Sequence, residues 1–391
     1  MAGERGKRGG QGRSTRGIHG DGYDPRPGDP IVPPIYQSAT FAGGLDPADE
    51  LLYTRYGNNP TQNGVGRKIA ALEDMDAGLV LGSGMGAIAM TLLALTSRGD
   101  HIVASEHLYG ATRRLLEEEL PRRGVTTTFA GFGRTTTWRK AIRKSTRLLY
   151  IEAPTNPTLR VPDPRPLATL AREHGLPMVM DATFATPVLM RPVEHGVDVV
   201  VHSATKYLSG HSDVIAGAVA GPTDVIEEVQ RMMRLYGPSV DPHAAWLLDR
   251  GLRTLGVRMR RHCENARIVA EFLEDHDKVR SVSWPGLASH PDHEVAAKLF
   301  DVGFGGMVGF VLEGGGEAAD RLMRTLRLIH VAPSLGGVES LVSQPRFTSH
   351  AALSESRRAA LGIPDGFVRL SVGLEDSDDL VSDLMRALDE I

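Results

Sequence analysis

Between about Leu72 and Ala220, short apolar runs alternate with segments of helical period. The runs are GLVLG from Gly78, HIVAS from His101, TTTFA from Thr126, RLLYIEA from Arg147, PMVMDAT from Pro177 and DVVVHSATK from Asp198. They have strand length, and most are nearly continuously apolar, as strands buried on both faces are. Between two of them, PLATLAREHG sets Leu167, Leu170 and Ala171 at helical spacing and stops at Gly175. This alternation predicts an α/β domain on a mainly parallel sheet, over residues 61–250. A helical stretch from about His243 to His276 follows. Residues 251–391 then combine strands (MVGFVLEG, FVRLSVGLE) with helices (EAADRLMRTL, DDLVSDLMRALDEI), which predicts a linking helix and a smaller α+β domain. Neither an internal repeat nor a heptad array is present.

The first 60 residues break this pattern. The first 20 hold seven glycines and five basic residues (Arg5, Lys7, Arg8, Arg13, Arg16) against the single acid Glu4. With no apolar core of a signal peptide, they read as a disordered basic tail. DPRPGDPIVPPIYQSATF, rich in proline and without period, reads as an extended arm of the kind that crosses to a neighbouring subunit.

Composition narrows the function. With 44 Lys plus Arg against 48 Asp plus Glu, the net charge is −4, which gives no general field for nucleic acid or an anionic membrane. Any anionic ligand must be held locally. The longest apolar stretch, GAIAMTLLAL, is half of what a membrane helix needs, at roughly 20 residues. The only cysteine, Cys263, permits no internal disulfide and no thiolate zinc site, so a cytoplasmic home is expected. Fourteen histidines suggest a metal only weakly; the nearest pair, His290 and His293 in SHPDHE, sits in no HExxH pattern and reads as a solvated loop.

Three features carry chemistry. In LVLGSGMGAIAM an apolar strand runs through Gly82, Ser83, Gly84, Met85 and Gly86 straight into a helix. Its free backbone N–H groups and helix dipole suit a phosphate, although a tight structural turn looks the same. In VVHSATKYLSGHSD a strand ends in Ser203, Ala204, Thr205 and Lys206. Apolar surroundings would lower that amine's pKa and make it a Schiff-base former; a solvated lysine is the plainer reading. Asp181 ends another strand, where it could pair with a protonated pyridine or cap a helix. Together, phosphate turn, aspartate and lysine are the three contacts that pyridoxal 5'-phosphate requires.

SATKYLSGHSD at Ser203, YTRYGNNPT at Tyr53, IEAPTNPT at Ile151, the DAT after PMVM, and SLGGVESL at Ser334 resemble the pyridoxal phosphate enzymes of cysteine and methionine metabolism, the trans-sulfuration family. The resemblance runs from about Arg16 to Ile391. It implies fold-type I, with a seven-stranded cofactor domain, and a homotetramer made of two catalytic dimers. It implies that Lys206 binds the cofactor and then moves protons, and that Asp181, beside Thr183, pairs with the ring nitrogen. Ser83, Gly84, Met85, Ser203 and Thr205 are implied to bind phosphate, with Tyr53 and Arg55 reaching it from the neighbouring subunit. Tyr109 is implied to stack on the ring and assist proton transfer, and Asn156 to meet the ring hydroxyl. Ser334 and Arg369 are implied to hold the substrate carboxylate, with Tyr53 and Pro333 also at the substrate.

Within the family, RMRRHCENARIVAEFLE, SWPGLASHP and Pro242–His243 resemble the methionine γ-lyases. Pro333 stands where cystathionine-using members often carry a glutamate, which favours an apolar thioether. Ala111 stands where methionine γ-lyases commonly have cysteine, and VAPSLGGVES also resembles plant-type cystathionine γ-synthase. The expectation is therefore γ-elimination on L-methionine, with γ-synthase or cystathionine γ-lyase as the alternative. A non-catalytic relative that keeps the cofactor is disfavoured by the joint presence of Lys206, Asp181, Tyr109 and Arg369.

Overall fold

A computed structural model describes residues 11–46, 49–131, 134–351 and 353–391. Strands β1 (Ala77–Leu81), β2 (His101–Ser105), β3 (Thr126–Ala130), β4 (Thr146–Glu152), β5 (Met178–Asp181), β6 (Val199–His202) and β7 (Gly217–Gly221) form one sheet in the order β1-β7-β6-β5-β4-β2-β3. β7 is antiparallel to both its neighbours, β1 and β6, and the other six strands all point the same way. Six of these strands coincide with the apolar runs of the sequence. β7 does not, because GAVAG has too little side chain to read as a strand. Its smallness is required: a Cβ on Gly217 would lie 2.0 Å from the Ser83 carbonyl oxygen.

Both faces of the sheet are covered. Leu81, Ala104, Tyr150, Val179 and Val201 pack on one side against the helix after β1, and Val103, Leu149, Ile151, Met178 and Met180 pack on the other. At about 1.5–3 kcal/mol for each fully buried large apolar side chain, this two-sided burial holds the strand ends, and the site on them, in place. The carboxyl ends of parallel strands at a change of chain direction are where open α/β sheets bind ligands.

A second sheet combines β8 (Val279–Ser283), β9 (Met307–Leu312), β10 (His330–Val331), β11 (Leu341–Ser343) and β12 (Phe367–Ser371) in the order β10-β11-β12-β9-β8. It is mostly antiparallel, so fold-type I stands as expected. The helical stretch expected from His243 to His276 is two helices, Pro242–Arg253 and Leu255–Glu274, which meet at Thr254.

The disordered tail needs correction where it is described. Residues 13–19 form helix α1 (Arg13–His19), packed on α2 (Pro60–Glu73). Arg16 is buried, with its guanidinium on the Ala71 carbonyl and Asp74, and Arg13 donates to the Val188 carbonyl. Two of the glycines that suggested disorder permit close packing instead: a Cβ on Gly17 would lie 2.8 Å from the Leu252 carbonyl oxygen, and one on Gly20 2.4 Å from that of Arg16. The other basic residues of that segment, Arg5, Lys7 and Arg8, lie outside the described residues. From 23 to 46 the arm has no helix, and its only bridge joins Thr40 to Tyr53.

Candidate active site

β1 ends at Leu81, and α3 (Gly84–Leu95) starts three residues later. Ser83 caps that helix by accepting from the Gly86 N–H at 2.9 Å, which leaves the first N–H groups of the helix, at Gly84 and Met85, without intrahelical partners. Position 84 admits only glycine, because a Cβ would lie 2.6 Å from the Ser203 Cβ. The turn after β1 is thereby pressed against the turn after β6. Ser203 and Thr205 face the same cavity, although the Thr205 hydroxyl is bonded to the backbone of Ala216.

The cavity has a volume of about 670 Å³, and Lys206 lies in its wall. The Lys206 ammonium donates to Ser334 Oγ at 2.6 Å. Burial, and then the Arg369 guanidinium, lowers its pKa to about 8. Asp181, at the end of β5, accepts from the Thr183 N–H and hydroxyl. Burial raises its pKa, and no basic side chain is hydrogen-bonded to it. A buried carboxylate in that condition calls for a cation.

Arg369, on β12, crosses from the second sheet. Its Nη1 donates to Asn156 Oδ1 and its Nη2 to the Ser334 carbonyl, both at 3.0 Å. Ser334 itself has φ 90°, a left-handed conformation that costs a non-glycine residue energy. Tyr109, Asn156 and Pro333 complete the wall.

All of the expected cofactor and substrate residues except two therefore converge on one cavity. Tyr53 and Arg55 do not line it. Arg55 stacks on Tyr56 and donates to the Arg234 carbonyl. Nor do His290 and His293, whose Nδ1 atoms are bonded to local backbone; His290 is buried instead of lying in a solvated loop as expected. Nine lining residues had no expected role, Glu152 and Phe347 among them. Glu152, the last residue of β4, accepts the Tyr109 and Asn156 N–H groups. Phe347, largely exposed, stands at the rim with Arg346 over its ring. Glu152 belongs to the IEAPTNPT segment, so the signal was there; Phe347 gave none. Ala111 lies in an adjoining cavity of about 350 Å³ on the far side of Tyr109.

The residues present fit pyridoxal phosphate: a lysine of lowered pKa, a buried carboxylate to which no basic side chain among the described residues is hydrogen-bonded, and N–H groups at a helix start without intrahelical partners share one space. Among the described residues, no cluster suits a metal ion and no helix is long and apolar enough to cross a membrane.

Comparison with known proteins agrees with this geometry. The family model for Cys/Met metabolism PLP-dependent enzymes matches residues 14–389. The chain belongs to that family, and pyridoxal 5'-phosphate is its cofactor. It is similar to L-methionine gamma-lyase of Pseudomonas putida, 42% identical over 389 residues, covering 96% of this chain and 97% of that protein. It is also similar to cystathionine gamma-lyase of Bacillus subtilis, 40% identical over 383 residues, covering 97% of this chain and 100% of that one. Among solved structures, metB from Corynebacterium glutamicum superposes with a TM-score of 0.92 at 40% identity, covering 97% of this chain and 98% of that chain.

Proposed function

We propose that the protein is a PLP-dependent carbon–sulfur lyase that converts L-methionine and water to 2-oxobutanoate, ammonia and methanethiol by γ-elimination. The observation that carries this reading is the apolar wall at Pro333 and Leu335, directly beside the Ser334 and Arg369 pair. An uncharged thioether suits that wall, and a distal ammonium finds no acid on it. The 42% identity to L-methionine gamma-lyases supports the same reading.

When bound, the cofactor supplies an electron sink that makes protons at Cα and then Cβ of the amino acid removable. Ser83, Ser203, Thr205 and the N–H groups of Gly84 and Met85 hold its phosphate. Asp181, fixed by Thr183, would pair with the ring nitrogen, Asn156 would meet the ring hydroxyl and Tyr109 would stack on the ring. Arg369 and Ser334 orient the substrate carboxylate, the former through two parallel N–H donors. Lys206, whose pKa is lowered by burial and then by Arg369 to about 8, takes the proton from Cα in its neutral form. The Tyr109 hydroxyl delivers a proton to the sulfur as the Cγ–S bond breaks.

Tyr53 and Arg55 reach the phosphate and the substrate of a second copy, so the active unit is a dimer, paired into a homotetramer in the cytoplasm. Residues 1–60 are the tail and arm that serve this exchange, 61–250 the cofactor domain, and 251–391 the linking helix and C-terminal domain. Ala111 favours a second reading, γ-replacement on O-acyl-homoserine by cysteine, and the similarity to cystathionine gamma-lyase keeps L-cystathionine as a substrate to test.

The deciding experiment incubates the cofactor-loaded protein separately with L-methionine, L-cystathionine, and O-acyl-homoserine plus cysteine. Methanethiol and 2-oxobutanoate from methionine are the expected result. Cystathionine formed from the activated homoserine, with methionine left untouched, would overturn the lyase assignment in favour of a synthase.

A further inference from the structure

Glu152 ends β4 directly opposite Asp181 in the parallel register. It is 5% exposed, and its two carboxylate oxygens are spoken for. Oε2 accepts from the Tyr109 N–H at 2.7 Å, and Oε1 accepts from the Asn156 N–H at 2.8 Å. The network continues from there. Asn156 Oδ1 accepts from Arg369 Nη1, Arg369 Nη2 donates to the Ser334 carbonyl, and Ser334 Oγ accepts from Lys206. One unbroken set of contacts thus joins the loop of Tyr109, the arginine and the lysine.

We propose that Glu152 is a positioning residue that clamps the Tyr109 loop and the Asn156 turn to the end of β4. It thereby sets the phenol of Tyr109 and the guanidinium of Arg369 at fixed distances from Lys206. Chemistry explains why this position holds an acid. The two N–H donors meet different atoms at the end of one side chain, so each needs an acceptor there, and only a carboxylate offers two oxygens. Glutamine would turn an NH2 towards one of the donors. Burial and the neighbouring Asp181 raise the Glu152 pKa well above its ordinary value, and the two N–H bonds oppose that rise. The clamp stands on the two N–H contacts.

The inference rests on the assignment of Tyr109, Asn156 and Arg369 to the site, so wild-type turnover of L-methionine is measured first. Glu152→Gln should lower kcat/KM, per cofactor-loaded site, by about tenfold to a hundredfold, the usual penalty for reacting groups displaced by an ångström or less. Glu152→Asp keeps both oxygens on a shorter stem and should recover part of the loss. The visible circular dichroism of the bound cofactor should change in Glu152→Gln, since the ring's neighbours have moved.

Wild-type kinetics and dichroism in folded Glu152→Gln would overturn the proposal. A drop confined to Tm, with unchanged kinetics per loaded site, would overturn it equally. If methionine is not turned over by the wild type, the functional assignment fails alone, and the dichroism still decides the clamp. Should Glu152→Gln not fold, a crystal structure of the holoenzyme decides: either N–H standing beyond about 3.5 Å from Glu152 refutes the clamp.

Discussion

Lys206 and Ser334 are joined by a 2.6 Å hydrogen bond from ammonium to hydroxyl, across 128 residues of sequence. The serine that receives it is fixed in turn by Arg369. The amine is thus held by an oxygen acceptor but faces a guanidinium, and most of its hydration is lost.

The first prediction follows from that environment. Burial, and secondly Arg369, lowers the Lys206 pKa to about 8. Only the neutral amine attacks a carbonyl, so recapture of pyridoxal phosphate by the apoprotein should accelerate as pH rises, with an inflection near 8 instead of the ordinary 10.5. Arg369→Ala removes a cation that disfavours the ammonium form, so the inflection should move upward. The move should be partial, since burial remains. Stopped-flow absorbance across pH measures both; an inflection that stays put or falls in the variant would contradict the assignment.

Specificity is the second. Pro333 borders Ser334 in the cavity wall. Pro333→Glu places a carboxylate where a distal ammonium would lie. The ratio of kcat/KM for L-cystathionine over L-methionine should rise about tenfold or more, which is roughly 1.4 kcal/mol of selective binding. An unchanged ratio would show that the thioether tail points elsewhere.

How much of this was legible beforehand depends on whether the signal was local. Lys206, Asp181 and Gly84 stand where apolar runs give way to turns, and that position alone drew attention to them. The partners of Glu152 are backbone N–H groups, one of them 43 residues away at Tyr109, so its acceptor role was hidden inside a motif already noted. β7 escaped because Gly217 must be small under Ser83, and a glycine chosen for close approach looks like a breaker. The helix at Arg13–His19 escaped because composition registers charge and glycine but not the Ala71 carbonyl and Asp74 that await Arg16. Phe347 is a single exposed aromatic, and only the cavity gives it meaning.

Stability is the third prediction. Lys68 is fully buried; its ammonium lies 3.1 Å from Asp21 and is also paired with Asp249. Arg253 bridges the same two carboxylates from the far side. This group ties Asp21, just beyond α1, to α2 and to the helix Pro242–Arg253. Lys68→Met keeps the volume but leaves two buried carboxylates sharing one cation, which should cost about 3–5 kcal/mol. Thermal melting should show a loss of several degrees. A melting point within a degree of wild type would mean that the carboxylates are solvated on their own.

The last concerns how many copies build one site. Arg55 sits outside the cavity of its own chain, stacked on Tyr56. If it serves a second copy, Arg55→Ala should weaken cofactor retention although Lys206 is intact. Lys206→Ala should be inactive and lose the visible band of the lysine-linked cofactor. Mixed dimers of the two variants would then contain one site that lacks both residues and one that lacks neither. With equal mixing, half the dimers are mixed and half their sites are whole, so about a quarter of wild-type activity should return. Its absence in dimers shown to be mixed would mean that each chain completes its own site, and that the arm does not carry Arg55 across.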